Sequence, residues 1–95
     1  MLPRVVAIET RPDFSLILTF EGGERRRFDM SPYLDYPVFK PLRNPAFFAL
    51  AKVDYGTATW PGEIDIAPET LYLESIPELD QLGGRDNLRV SDGIA

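Results

Sequence analysis

Apolar residues fall at every second position over short stretches of this chain, and proline and glycine cut the stretches apart. The clearest is Ser15 to Phe20, where Leu16, Leu18 and Phe20 take one side and Ile17 and Thr19 the other. Because Ile17 is apolar too, the pattern predicts a central strand covered at least partly on both faces. Before it, Val5 to Ile8 reads as a first strand. Arg11-Pro12-Asp13 reads as the turn between them, since proline presets φ and aspartate bonds its own local backbone. After it, Glu21-Gly22-Gly23-Glu24 makes a hairpin turn, and the chain returns as Arg25 to Asp29. On that strand Arg26 and Phe28 share one face, and Arg25 and Arg27 the other.

The period then changes. Ser31-Pro32 reads as an N-cap followed by proline at the first helical position, with one turn through Asp35. Asn44-Pro45 repeats the device and opens the best helix, to about Lys52, with Phe47, Phe48, Leu50 and Ala51 turned inward. Val53 to Tyr55 and Thr57 to Trp60 read as extended about a bend or bulge at Gly56, and Pro61-Gly62 as a turn. Ile64 and Ile66 alternate with Glu63 and Asp65 in a short strand that pairs with Thr57 to Trp60. Pro68 starts a last helical turn ending at Tyr72 or Leu73. The expected fold is α+β: a small, mostly antiparallel sheet, built from an N-terminal meander and a second short hairpin, with short proline-initiated helices. One compact domain is expected over residues 1–77, and a polar, mobile tail over residues 78–95.

Composition removes several chemistries. The chain has no cysteine and no histidine, which excludes disulfides, thiolate metal sites, cysteine nucleophiles and Ser-His-Asp catalysis. A net charge of −5 works against binding nucleic acid unaided, because phosphate neutralisation needs clustered Lys and Arg. No apolar run approaches the roughly 20 residues that span a bilayer, and the Val5 to Ile8 run is too brief for a signal-peptide core. A cytoplasmic protein is therefore expected.

The arginine run Arg25 to Arg27 is the most conspicuous charge feature. It splits between strand faces, so at most Arg25 and Arg27 form one patch, either blunting a sheet edge or docking an acidic partner. Tyr55, Trp60 and Tyr72 are amphipathic aromatics suited to core packing or to recognition, with Tyr55 and Trp60 the candidates for a contact surface. Asp54, Glu63, Asp65 and Glu69 lie near the second extended region, in a spacing that specifies neither an acid–base pair nor a metal site. Asp54 and Asp65 are the two polar residues to watch. The glycines form no phosphate-binding loop, and no cofactor, metal or catalytic residue is expected.

The order of motifs is itself informative: V-x-x-I, then L-I-L-T-F-E-G-G-E, F-D-M-S-P, V-F-K-P-L-R-N-P-A-F-F and V-D-Y-G-T-A-T-W-P-G-E-I-D-I-A-P-E-T-L-Y. From about Val5 to Tyr72 this resembles the bacterial family known as domain of unknown function 2442. The resemblance implies a compact α+β domain that in some relatives precedes a helix-turn-helix region. In others it stands alone beside another small protein, in a toxin–antitoxin-like arrangement. The stretch after Tyr72, broken by Pro77 and Gly83-Gly84, is too short for a helix-turn-helix, so the stand-alone form is the expectation. No roles come with the matching positions Asp29, Pro32, Phe39, Pro41, Leu42, Asp54, Gly56, Trp60, Asp65, Pro68 and Tyr72.

Three functions follow in order. The first is a non-enzymatic interaction module, the antitoxin-like partner of a small protein, using Trp60, Tyr55 and the Arg25–Arg27 strand. The second is a regulatory or ligand-sensing domain related to helix-turn-helix regulators. The third, a carboxylate-dependent enzyme, requires two of the four acids to converge in a cleft. A homodimer is compatible with the short strands, whose edges pair readily.

Overall fold

Every second residue of the strand Ser15–Phe20 is driven into one core, and the rest of the chain is arranged to cover it. The structure, a computed structural model, describes residues 2–78. Strands β1 (Val5–Thr10), β2 (Ser15–Phe20) and β3 (Arg25–Asp29) form an antiparallel meander, which β7 (Ile76–Pro77) extends in the order β1-β2-β3-β7. Strands β4 (Lys52–Asp54), β5 (Thr57–Trp60) and β6 (Ile64–Asp65) form a second antiparallel sheet, in the order β4-β5-β6. The helices α1 (Pro45–Phe48) and α2 (Pro68–Leu73) both begin at proline. The expected α+β class and its two antiparallel units are what the chain adopts.

β2 is central, as its pattern requires. Leu16, Leu18 and Phe20 are fully buried on the core face, and Ile17 is 2% exposed on the other. At about 1.5–3 kcal/mol for each fully buried side chain, this strand carries a large share of the apolar stabilisation. β1 runs two residues longer than expected and contains a bulge between Val5 and Ala7. The bulge has a reason in the spacing. Val5 and Ile8 stand three apart and would fall on opposite faces of a regular strand, yet Val5 pairs with Phe20 and Ile8 with Leu18. The extra residue, Val6, turns outward.

The β1–β2 connection uses Pro12 and Asp13 as expected, and then places Phe14 at φ 66°. A type I turn followed by a left-handed residue is a common three-residue hairpin. Phe14 accepts that conformation because its ring packs edge-on against Phe48, with centroids 5.2 Å apart.

Three local expectations are corrected. Ser31 caps nothing; the 3₁₀ turn Ser31–Tyr33 has no side-chain cap, and Asp29 instead accepts the Ser31 N–H at 2.9 Å. Asn44 does cap α1, accepting from the Ala46 N–H at 2.9 Å, but the helix ends at Phe48 rather than Lys52. Lys52 is taken by strand pairing, opposite Thr59, a non-local contact that helix propensity does not register. Leu50, expected inside, is 54% exposed. A second 3₁₀ stretch, Pro37–Arg43, and strand β7 were not foreseen, although Phe39 and Leu42 fill the core as expected. The tail expected over 78–95 lies outside the described residues except for Glu78, which is buried and donates its backbone N–H to Arg25 O at 3.1 Å.

The two sheets share their apolar faces. Val5, Leu16, Leu18, Phe20 and Phe28 of the first sheet and Ala58, Trp60 and Ile64 of the second belong to one cluster, closed by Phe39, Leu42, Phe48 and Leu71. Val5 donates its N–H to Gly56 O at 3.0 Å, joining β1 to the β4–β5 turn. Gly56 has φ 74°, and a Cβ there would lie 3.0 Å from the Arg4 guanidinium carbon and 3.2 Å from Arg4 Cβ. Arg4 can swing away only in part, and the backbone strain stays. Gly56→Ala is expected to destabilise the fold by about 1–2 kcal/mol, read as a lower urea midpoint at unchanged slope.

Candidate functional site

The β4–β5 hairpin closes in two residues, Tyr55 at φ 53° and Gly56 at φ 74°. Two successive positive φ values make the turn whose twist matches antiparallel strands, and glycine is suited to it whereas tyrosine is not. The turn holds the Tyr55 ring at the tip of the second sheet, where it is 85% exposed. In the cross-strand register, Lys52 faces Thr59, which faces Asp65, and Asp54 faces Thr57. Paired residues share a face, so Lys52, Asp54, Thr59 and Asp65 lie together on the outer face, opposite Val53, Ala58, Trp60 and Ile64. This face floors a cleft of about 600 Å³ whose walls include Leu50, Tyr55, Pro61 and Glu63.

Two of the three carboxylates in the cleft, Asp54 and Asp65, stand apart. Asp54 and Asp65 sit on the outer strands with β5 between them and two residues apart in register, which strand spacing converts to roughly 12 Å. Glu69 lines a different hollow, beside Arg4 and Gly56. Among the described residues no group of three or more acidic side chains is placed to hold a metal ion. The geometry is that of an open, mixed surface: one amine, three carboxylates, a hydroxyl, an exposed phenol and an apolar rim.

Trp60 requires a correction as a contact residue. It is 2% exposed, stacks on Phe48 with centroids 6.0 Å apart, and donates its indole N–H to Phe48 O at 2.9 Å. Its side chain is a core plug that ties β5 to α1. Tyr55, five residues earlier, is the aromatic that meets solvent.

The three arginines separate by role. Arg25 and Arg27 stand on the outer face of the first sheet, as their alternation predicts, and each reaches a carboxylate: Arg25 meets Glu9 at 3.8 Å and Arg27 meets Asp13 at 3.4 Å. Arg11 adds contacts to Glu9 at 3.0 Å and Glu78 at 3.6 Å, so this face is a lattice of matched charges. Arg26 turns the other way. It lies over the Tyr72 ring at 4.7 Å, donates to Ser75 Oγ at 2.7 Å and Ser75 O at 2.6 Å, and pairs with Glu24 at 2.8 Å. Tyr72 donates its hydroxyl to the same Glu24 at 2.9 Å. The middle arginine thus clamps α2 and the approach to β7 onto the β2–β3 hairpin, a long-range role that no local pattern announces.

Electrostatics follow these contacts. Hydrogen bonds from Arg26 and then Tyr72 hold the Glu24 carboxyl below its ordinary range. The bond to Glu24, with burial second, pushes the Tyr72 phenol up. Asp13 is lowered chiefly by the Ser15 hydroxyl, assisted by the Ser15 N–H and Arg27 against a cost of desolvation. Burial, above all, raises Tyr33.

A family model described as protein of unknown function (DUF2442) matches residues 5–77. The chain belongs to the DUF2442 family. No curated protein and no solved structure matches it. The matched span of this DUF2442 protein begins at the first residue of β1 and ends at the last of β7, so it takes in both sheets, the cleft and the Arg26 clamp. No described helix is long and apolar enough to cross a membrane.

The clamp and the outer lattice differ in burial, and so in consequence. Arg26→Ala is expected to cost about 2 kcal/mol or more, since it removes charge-assisted bonds at a side chain only 15% exposed. Arg27→Ala, with its exposed pair, should cost under about 1 kcal/mol; urea unfolding of both variants checks the contrast. The pH dependence has two limbs. Glu24, being depressed, stabilises above the ordinary carboxylate value of about 4.3, and that contribution is lost as pH falls through its folded value. Tyr72, being raised, favours the fold below about pH 10 and loses this as pH rises through its folded value. Circular-dichroism melts are expected to show the largest gap between wild type and Glu24→Gln near neutrality, narrowing at both extremes.

Proposed function

We propose that this DUF2442 protein is a non-enzymatic interaction module whose partner is another small protein, held in the antitoxin-like arrangement that the family resemblance implies. The observation that carries the reading is Tyr55, 85% exposed on a two-residue turn of positive φ at the rim of the cleft. A tyrosine in water, on backbone that disfavours it, costs stability in the free protein and gives amphipathic contact area at low entropy in a complex. The separation of Asp54 from Asp65 supports binding over carboxylate catalysis. The cleft also supports a second reading, a ligand-sensing domain, because its volume lies within the roughly 300–1,000 Å³ of small-molecule sites.

Affinity purification of the tagged protein from its native host, with mass spectrometry and light scattering of the product, tests the first reading. A stoichiometric small protein that is lost on Tyr55→Ala is the expected result. A partner-free protein that a metabolite stabilises in a thermal-shift screen would favour ligand sensing instead.

A further inference from the structure

The outer faces of the two sheets carry the same kinds of residue and treat them differently. On the first sheet, Arg11 and Arg27, with Arg25, meet carboxylates from Glu9, Asp13 and Glu78. In the cleft of the second sheet, Asp54, Glu63 and Asp65 make no ion pair among the described residues, and Lys52, across β5 from Asp65, makes none either. Among the described residues, the cleft lining therefore sets three carboxylates against one amine, an excess of negative charge. It combines that charge with an apolar rim of Leu50 (54% exposed), Tyr55 (85% exposed) and Pro61.

We infer that this cleft docks a lysine- or arginine-bearing segment of the partner protein, with cationic heads at Asp54 and Asp65 and their alkyl stems against the Tyr55 rim. The inference rests on the interaction-module reading above and adds the chemistry of the partner. Long basic side chains carry both halves of what the cleft offers, an apolar stem and a charged tip. A guanidinium can also lie on the exposed Tyr55 ring, as Arg26 does on Tyr72 at 4.7 Å. Asp54 and Asp65, separated by roughly 12 Å across the sheet, are too far apart for one cation and suit two successive ones. Lys52 is a like charge on the same floor, which confines the cations to the Asp54 and Asp65 positions and selects against a uniformly basic surface.

The test uses the full chain and a capped Arg-Gly-Arg-Gly-Arg peptide, with the citrulline peptide as an uncharged control of nearly the same shape. Backbone amide NMR titrations are run at low and high salt. The expected result is a saturable shift of the Tyr55, Thr59 and Asp65 amides, weakened at least about tenfold by citrulline, by high salt and by the Asp54→Asn/Asp65→Asn double variant. These side chains lie on the outer face, so the variant should fold, and its melting temperature checks this. A control, Glu9→Gln on the other sheet, should leave the peptide affinity unchanged. No saturable shift, equal binding of the citrulline peptide, or shifts centred on Glu9 and Asp13 would overturn the inference. Its failure is separable from that of the interaction reading: a partner captured equally well by wild type and the double variant removes the cleft and keeps the module. Peptide binding at the cleft with no partner protein captured keeps the cleft and removes the module.

Discussion

Strands of two to six residues bury a core only when the two sheets turn their apolar faces toward each other, and everything else in this molecule follows from holding that arrangement. Two hydrogen bonds mark the seam. Val5 N–H reaches Gly56 O, and the Trp60 indole N–H reaches Phe48 O. Both tie the second sheet, which among the described residues pairs with no strand of the first, to β1 and α1. Trp60 and Phe48 also stack in the core, so a polar tether and an apolar contact act at one place. This packing seats the β4–β5 hairpin against the core, and its turn carries Tyr55 outward.

A second constraint closes the other end. α2 and β7 follow the short β6, and little apolar area is available there: Leu71 is buried, whereas Leu73 and Ile76 are 65% and 54% exposed. The clamp at Arg26 takes the place of a larger apolar contact. A charged group that is mostly buried costs free energy unless it is bonded, and here Glu24, Ser75 and the Tyr72 ring answer it together. The Glu24 carboxylate in turn receives both Arg26 and Tyr72, so removing any member leaves another short of a partner.

Much of this fold was legible in the chain, for reasons that differ by element. β2 and β3 were readable because period-two alternation and the Gly22-Gly23 turn are local signals, and both strands have the expected ends. The proline starts of α1 and α2 were readable for the same reason. The end of α1 was not, because Lys52 to Asp54 are claimed by β5, a contact invisible to helix propensity. The β1 bulge is written in the V-x-x-I spacing, three residues where a strand needs two or four. The Tyr55-Gly56 turn was obscured because only its second residue is one that welcomes positive φ. At the candidate site, Asp54, Asp65 and Tyr55 were singled out and do line one cleft, whereas Trp60 was singled out and is core. Alternation separates Trp60 from Thr59, but sequence alone does not say which of the two faces is covered.

The same alternation explains why the arginine run is a poorer guide to binding than its prominence suggests. Three consecutive charges on a strand cannot act as a patch, since the middle one faces the opposite side from its neighbours. Arg26 is absorbed into the fold, while Arg25 reaches across β2 to Glu9 on β1 and Arg27 reaches Asp13 in the β1–β2 turn. Exposed pairs of this kind are worth little in stability, yet each lowers the field that a partner would feel. In the cleft the acids are spread over β4, the Pro61-to-Glu63 turn and β6, so no run of sequence displays them, and Lys52 offsets only one of the three. The surface with the stronger claim on a charged partner is thus the one whose charges are scattered along the chain and gathered by the fold.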